Sequence, residues 1–138
     1  MKKIVVAIIV LVLVLLSFQI TQNNESKKNH NEQLSQTFLS KHIPIIDIRT
    51  KKEWKRTGIV KDSILLTFYN EDGRFNEENF LRNLNAILNK ESEFAILCRS
   101  GNRSNRVTRF LISKGYINVI NLLGGVKQGI KNGVVLNK

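Results

Sequence analysis

Scarcity is the first thing this 138-residue chain shows: it has one cysteine, one proline, one tryptophan and two histidines. A single cysteine excludes an intrachain disulfide and a Cys-x-x-Cys redox centre. His30 and His42 lie far in sequence from Cys98, so no ligand cluster with metal spacing forms, and neither metal nor cofactor is expected. Acidic residues are also few, 11 against 22 Lys and Arg, for a formal charge of +11. Such a surplus raises nucleic acid as a partner. Yet no basic run exceeds two residues, so a solvated basic surface is expected, with no nucleic-acid partner and a mild pull on small anions. No internal repeat is visible. Setting residues 1–20 aside leaves about 118 residues, enough for one domain with a real core.

One long apolar run opens the chain. Met1-Lys2-Lys3 is basic, and Ile4 to Leu16 is unbroken apolar sequence, the pattern of a secretory signal peptide. The run is short of the about 20 residues that span a bilayer, though extension through Phe18 and Ile20 brings it close. Ser17-Phe18-Gln19 is no small-x-small cleavage site. Residues 1–20 are therefore read as a signal peptide or a membrane anchor attached through residues 4–20. Either reading places the domain in the periplasm or cell envelope, secreted or anchored. Residues 21–32 read as a polar linker, and 33–138 as the domain. In an exported protein an odd cysteine points to a reactive thiol or an intermolecular bridge.

Within the domain, strand and helix patterns alternate. Leu34, Phe38 and Leu39 recur at helical spacing. Ile43–Ile48 is a short apolar run, as in a strand buried on both faces, with Pro44 tolerated only near its start. Ile64–Phe68 is a second strand. A turn at Asn70–Gly73 precedes a helix that gathers Phe80, Leu81, Leu84, Ile87 and Leu88 on one face. Phe94–Leu97 is a third strand, followed by a helix carrying Val107, Phe110 and Leu111 and ending at Lys114-Gly115. Val119–Leu122 is a fourth strand, and Gly125–Lys131 a last short helix. Such alternation predicts an α/β fold, a parallel sheet flanked by helices. Ligands of such folds bind where strands give way to helices.

The lone cysteine stands at one of those places. Phe94-Ala95-Ile96-Leu97 ends in Cys98-Arg99-Ser100-Gly101-Asn102-Arg103-Ser104, and a helix follows. A buried free cysteine is often no more than a small hydrophobe, but one at a strand end before a Gly- and Arg-containing loop reads as reactive. The loop can curl its N–H groups inward as an anion nest backed by the helix dipole. A positive setting of this kind favours thiolate over thiol. Spacing narrows the chemistry. Cysteine phosphatases grip phosphate with Cys-x5-Arg, whereas here position 104 is Ser104 and the arginine comes one residue early, at Arg103. The smaller cradle suits a sulfur anion.

Cys98 to Ser104 resembles the active-site loop of the rhodanese-like sulfurtransferases. Ile45-Ile46-Asp47-Ile48-Arg49-Thr50 with Glu53-Trp54 is similar to that family's first signature. Thr57 to Ile64 resembles the turn that follows, without its usual histidine. Asn121-Leu122-Leu123-Gly124-Gly125-Val126 is similar to the closing strand and glycine turn, with Gly129 where a tryptophan is common. The resemblance covers most of the chain after residue 43 and implies a single rhodanese-like domain. It also implies the chemistry: Cys98 attacks the sulfane sulfur of thiosulfate or a similar small anionic donor and keeps it as a persulfide. The N–H groups from Arg99 through Ser104 hold that sulfur, including those of Ser100, Gly101 and Asn102. Arg99 and Arg103 bind donor oxygens, and a small or protein thiol accepts the sulfur. Asp47 and Arg49 are expected to support neighbouring loops rather than react. The rivals are a persulfide carrier without turnover, a cysteine phosphatase or arsenate reductase on the same scaffold, and a redox-sensing thiol.

Overall fold

The computed structural model describes residues 1–25 and 30–138. The elements run α1 (Lys2–Glu25), β1 (His30–Gln33), α2 (Gln36–Leu39), β2 (Ile45–Asp47), α3 (Lys51–Thr57), β3 (Ile64–Leu65), α4 (Glu77–Asn85), β4 (Phe94–Leu97), α5 (Asn102–Ser113), β5 (Val119–Leu123) and α6 (Gly125–Lys131). The strands form one five-stranded sheet in the order β1-β5-β4-β2-β3. Every pairing is parallel, with Ile46 opposite Ile96 and Ala95 opposite Ile120. The expected parallel α/β architecture is therefore present.

Helices cover both faces of the sheet, which is why β2 and β4 carry no polar alternation. Ile46, Ile48, Phe94, Ile96 and Cys98 share one face with Phe80 and Leu84 of α4 and Val107 and Leu111 of α5. Ile45, Ala95, Leu97, Ile120 and Leu122 share the other with Leu34, Phe38 of α2 and Val126 of α6. Side chains alternate along a strand, so Cys98, two residues after Ile96, points to the side where α5 begins.

The strand β1 is an addition to the sequence reading. His30 to Gln33 lie within or just beyond the stretch read as a polar linker, of which residues 26–29 lie outside the described residues. They pair with Ile120 to Leu123 at the sheet edge. Three of the four are exposed, so no apolar alternation marks them as a strand. Other boundaries shift for similar reasons. Only Ile64 and Leu65 form β3, although the Leu66 and Phe68 N–H groups still donate to the Asp47 and Ile48 carbonyls. The helix α4, capped by the Asn76 side chain, stops at Asn85, leaving Ile87 exposed beyond its end. At Gly129 a Cβ would sit 2.4 Å from Leu34 Cδ2; the buried Leu34 fills that space and α6 packs without a large side chain there.

In α1 the side chains of Ile4 to Leu16 are exposed. Among the described residues, no helix is long and apolar enough to cross a membrane.

The end of β2 is tied by a buried ion pair. Asp47 is 0% and Arg49 1% exposed. Arg49 Nε donates to Asp47 Oδ1 at 2.9 Å and Nη2 to Oδ2 at 2.7 Å. The same guanidinium donates to Thr57 Oγ1 and to the Gly58 carbonyl, while Thr67 Oγ1 donates to the Arg49 carbonyl. One pair thus joins β2 to the turn after α3 and to the segment after β3. Removing the carboxylate would leave the guanidinium buried without a counter-charge. Asp47→Ala is expected to cost about 3–5 kcal/mol of unfolding free energy, measured by urea titration against the parent chain.

Candidate active site

Two helix N-termini converge on the loop that follows β4. The first belongs to α5, whose N-cap is Gly101 at φ +92° with no side-chain cap. Ser, Thr, Asp or Asn at that position would normally accept from the first turn. Here the cysteine does so: the Gly101 N–H donates to Cys98 Sγ at 3.1 Å and the Ser104 N–H at 3.4 Å. Ser104 Oγ lies 3.4 Å from the same sulfur and donates to the Gly101 carbonyl at 3.0 Å. The sulfur occupies the place of a helix cap, where the positive end of a 12-residue helix favours an anion.

The second N-terminus belongs to α6. Its Val126 N–H donates to the Cys98 carbonyl at 2.9 Å and its Lys127 N–H to the Arg99 carbonyl at 3.1 Å. This approach leaves no room for a side chain at Gly125, which has φ +56° and whose Cβ would fall 2.3 Å from the Cys98 carbonyl oxygen. Gly101 is held equally close, 2.7 Å from its would-be Cβ to the Gly124 nitrogen. The glycines beside the loop therefore serve close backbone approach.

Arg99, Ser100 and Asn102 are exposed, whereas Ser104 is buried and Cys98 only 1% exposed. The loop forms one wall of an open cleft of about 740 Å³, with α3 and the Tyr69–Gly73 turn opposite. Five cations line it, Lys52, Arg56, Arg99, Arg103 and Arg106, against the carboxylates of Glu53 and Glu71. An anionic ligand is favoured on charge alone. Among the described residues no group of His, Cys, Asp or Glu is arranged to hold a metal ion.

The sequence reading did not assign Glu53 a role, and the structure gives it one. Its carboxylate takes the guanidinium of Arg103 in a two-pronged pair, Nη2 to Oε1 at 2.6 Å and Nη1 to Oε2 at 2.9 Å. The carboxylate is anchored by a capping box: the Thr50 N–H donates to Glu53 Oε2, and the Glu53 N–H to Thr50 Oγ1. Burial alone would raise the Glu53 pKa. The Arg103 and Thr50 hydrogen bonds and the charges of Arg103 and Arg49 outweigh it and hold the group below its ordinary value. The pairing holds Arg103 above its own ordinary value against the effect of burial. Thr50-x-x-Glu53 was legible as a capping box; its reach to a loop 50 residues away was not. Arg49 and Asp47 stand behind this arrangement in their own pair, and neither lines the cleft.

In this parallel α/β domain the only cysteine caps a helix at the carboxyl end of a central strand, a geometry suited to holding negative charge on its sulfur. The Rhodanese-like domain family matches residues 25–132, and the chain belongs to that family, whose sulfurtransferase relatives it resembles. It is 30% identical over 105 residues to a protein named Sulfurtransferase from Allochromatium vinosum, covering 75% of this chain and 88% of that one. It is 29% identical over 94 residues to the Rhodanese-like domain-containing protein 17 of Arabidopsis thaliana, covering 66% of this chain but only 60% of that protein. Among solved structures, the Rhodanese-like Domain Protein from Staphylococcus aureus superposes with a TM-score of 0.50 at 26% identity, over 70% of this chain and 82% of that one.

The Gly125 contact makes a direct test. Gly125→Ala is expected to displace the Cys98–Arg99 backbone, lowering stability by about 1–3 kcal/mol and changing the alkylation rate of Cys98 by iodoacetamide. Unaltered melting and unaltered alkylation would mean that α6 does not hold the loop.

Proposed function

We propose that the chain is a sulfurtransferase that carries sulfane sulfur on Cys98. The observation behind this reading is the pair of N–H groups, from Gly101 and Ser104, aimed at Cys98 Sγ. They favour negative charge on that sulfur and, after transfer, on the sulfur bonded to it. With thiosulfate as donor, the Cys98 thiolate attacks the outer sulfur. A new S–S bond forms, the donor S–S bond breaks, and sulfite leaves with the electron pair. The enzyme is left as a Cys98 persulfide, and total charge is unchanged. An acceptor thiolate then attacks the terminal sulfur, leaves as a persulfide, and restores the Cys98 thiolate. This divides one transfer into two displacements. Arg99, exposed at the cleft wall, attracts the donor's oxygens, and Gly101 lets backbone approach the sulfur closely.

Intact mass spectrometry of the full chain before and after thiosulfate tests the reading. A gain of one sulfur atom that cyanide reverses, and that Cys98→Ala abolishes, is expected. An unchanged mass would sink thiosulfate transfer. A gain without steady-state turnover towards any small thiol would favour a carrier that hands sulfur to a protein.

We further propose that residues 1–20 direct the chain out of the cytoplasm, on the basis of the Met1-Lys2-Lys3 start and the apolar run from Ile4 to Leu16. Expression with and without that segment, followed by fractionation, is expected to place only the full chain in the envelope or medium. Recovery of both in the cytosol would overturn the proposal. The mass of the exported product shows whether the segment is removed.

A further inference from the structure

The Glu53–Arg103 pair bears on which donors the site accepts. The loop from Cys98 to Ser104 carries two arginines, but only Arg99 has an exposed side chain. Arg103 is partly buried at 28% side-chain exposure and gives two donors to a carboxylate that is itself 14% exposed. That carboxylate cannot swing away freely, because it also accepts from the Thr50 N–H and completes the cap of α3. Two charge-assisted bonds in fork geometry are among the stronger side-chain contacts. The loop therefore offers an incoming anion one uncommitted positive charge rather than two, with a carboxylate beside it.

We infer that Glu53 is a specificity-determining residue: by withholding Arg103 it weakens binding of doubly charged donors such as thiosulfate relative to singly charged persulfides. The inference rests on the sulfur-transfer reading of Cys98. Attraction scales with the product of the charges, so neutralising one loop cation costs a dianion more than a monoanion. Glu53 does not touch the reacting sulfur and does not serve as a base, since its carboxylate is already committed to Arg103. Its effect belongs in the affinity for donor rather than in the displacement step.

Glu53→Gln is the informative variant, because glutamine also serves at the third position of a capping box and keeps the Thr50 contact. The expected result is a roughly five- to tenfold lower KM for thiosulfate, with a smaller change for a singly charged alkyl persulfide and little change in kcat for either. Adding Arg103→Gln to Glu53→Gln is expected to erase the gain. Equal losses with both donors would mark Glu53 as merely structural and overturn the inference. A gain that persists without Arg103 would overturn it too. A measurement on the otherwise native chain guards against a variant that fails to fold. In Cys98→Ser protein, thiosulfate is expected to shift the guanidinium 15N signal of Arg99 and leave that of Arg103 in place; movement of Arg103 would refute the withholding. If the parent chain takes sulfur from neither donor, the sulfur-transfer reading itself fails, which the parent's intact mass reports separately.

Discussion

Four backbone N–H groups, two from each of two helix N-termini, converge on a few atoms of one loop, and the rest of the site follows from that convergence. The helix α6 grips the carbonyls of Cys98 and Arg99, which fixes where the chain leaves β4. On the other side, Gly101 and Ser104, at the start of α5, direct their N–H groups at the cysteine sulfur. Helix starts have donors without intrahelical partners. Here the loop accepts two from each helix start, through its carbonyl oxygens for α6 and its thiol for α5. The arrangement demands glycine where backbones meet, at Gly101 and Gly125, since a single Cβ at either would overlap a main-chain atom.

A second layer of polar contacts holds the surroundings of the loop. The Asp47–Arg49 pair is fully buried, a costly choice unless every charge is met. Arg49 meets the requirement by serving the Asp47 carboxylate, Thr57 Oγ1 and the Gly58 carbonyl together. This places α3, and with it Glu53, at a set distance from the reactive loop. Glu53 then reaches across to Arg103, so the charge presented to a ligand is decided one layer away from the sulfur. The contacts to the sulfur and the electrostatics of the cleft are thereby separable: Gly101 and Ser104 direct their N–H groups at Cys98, while the cations and carboxylates of the cleft set its charge.

Much of this was legible in the residues. Apolar runs at Ile43–Ile48 and Phe94–Leu97 announced buried parallel strands, and β4 and α6 fall at the limits the pattern predicts. Cys98 was visible as a candidate because one cysteine stood where a strand gives way to a helix. Other features carried too little signal. The edge strand β1 is polar because it faces solvent, so its order comes from pairing with β5 rather than from its own pattern. Of Ile64–Phe68 only two residues are regular strand, although Leu66, Thr67 and Phe68 still bond to the Asp47, Arg49 and Ile48 carbonyls beside it.

Local pattern, composition and motif spacing mark most of the strands and helices, and they single out Cys98 as the candidate nucleophile, because these depend on neighbours a few residues apart. Contacts between segments far apart in the chain were decided only by the tertiary structure. The capping of α5 by a sulfur, the seating of α6 on the Cys98 carbonyl and the capture of Arg103 by Glu53 all require the sheet to have brought β4, β5 and α3 together. A capping box can be read from four residues, but whether its glutamate also neutralises a cation 50 positions away depends on where folding places that cation.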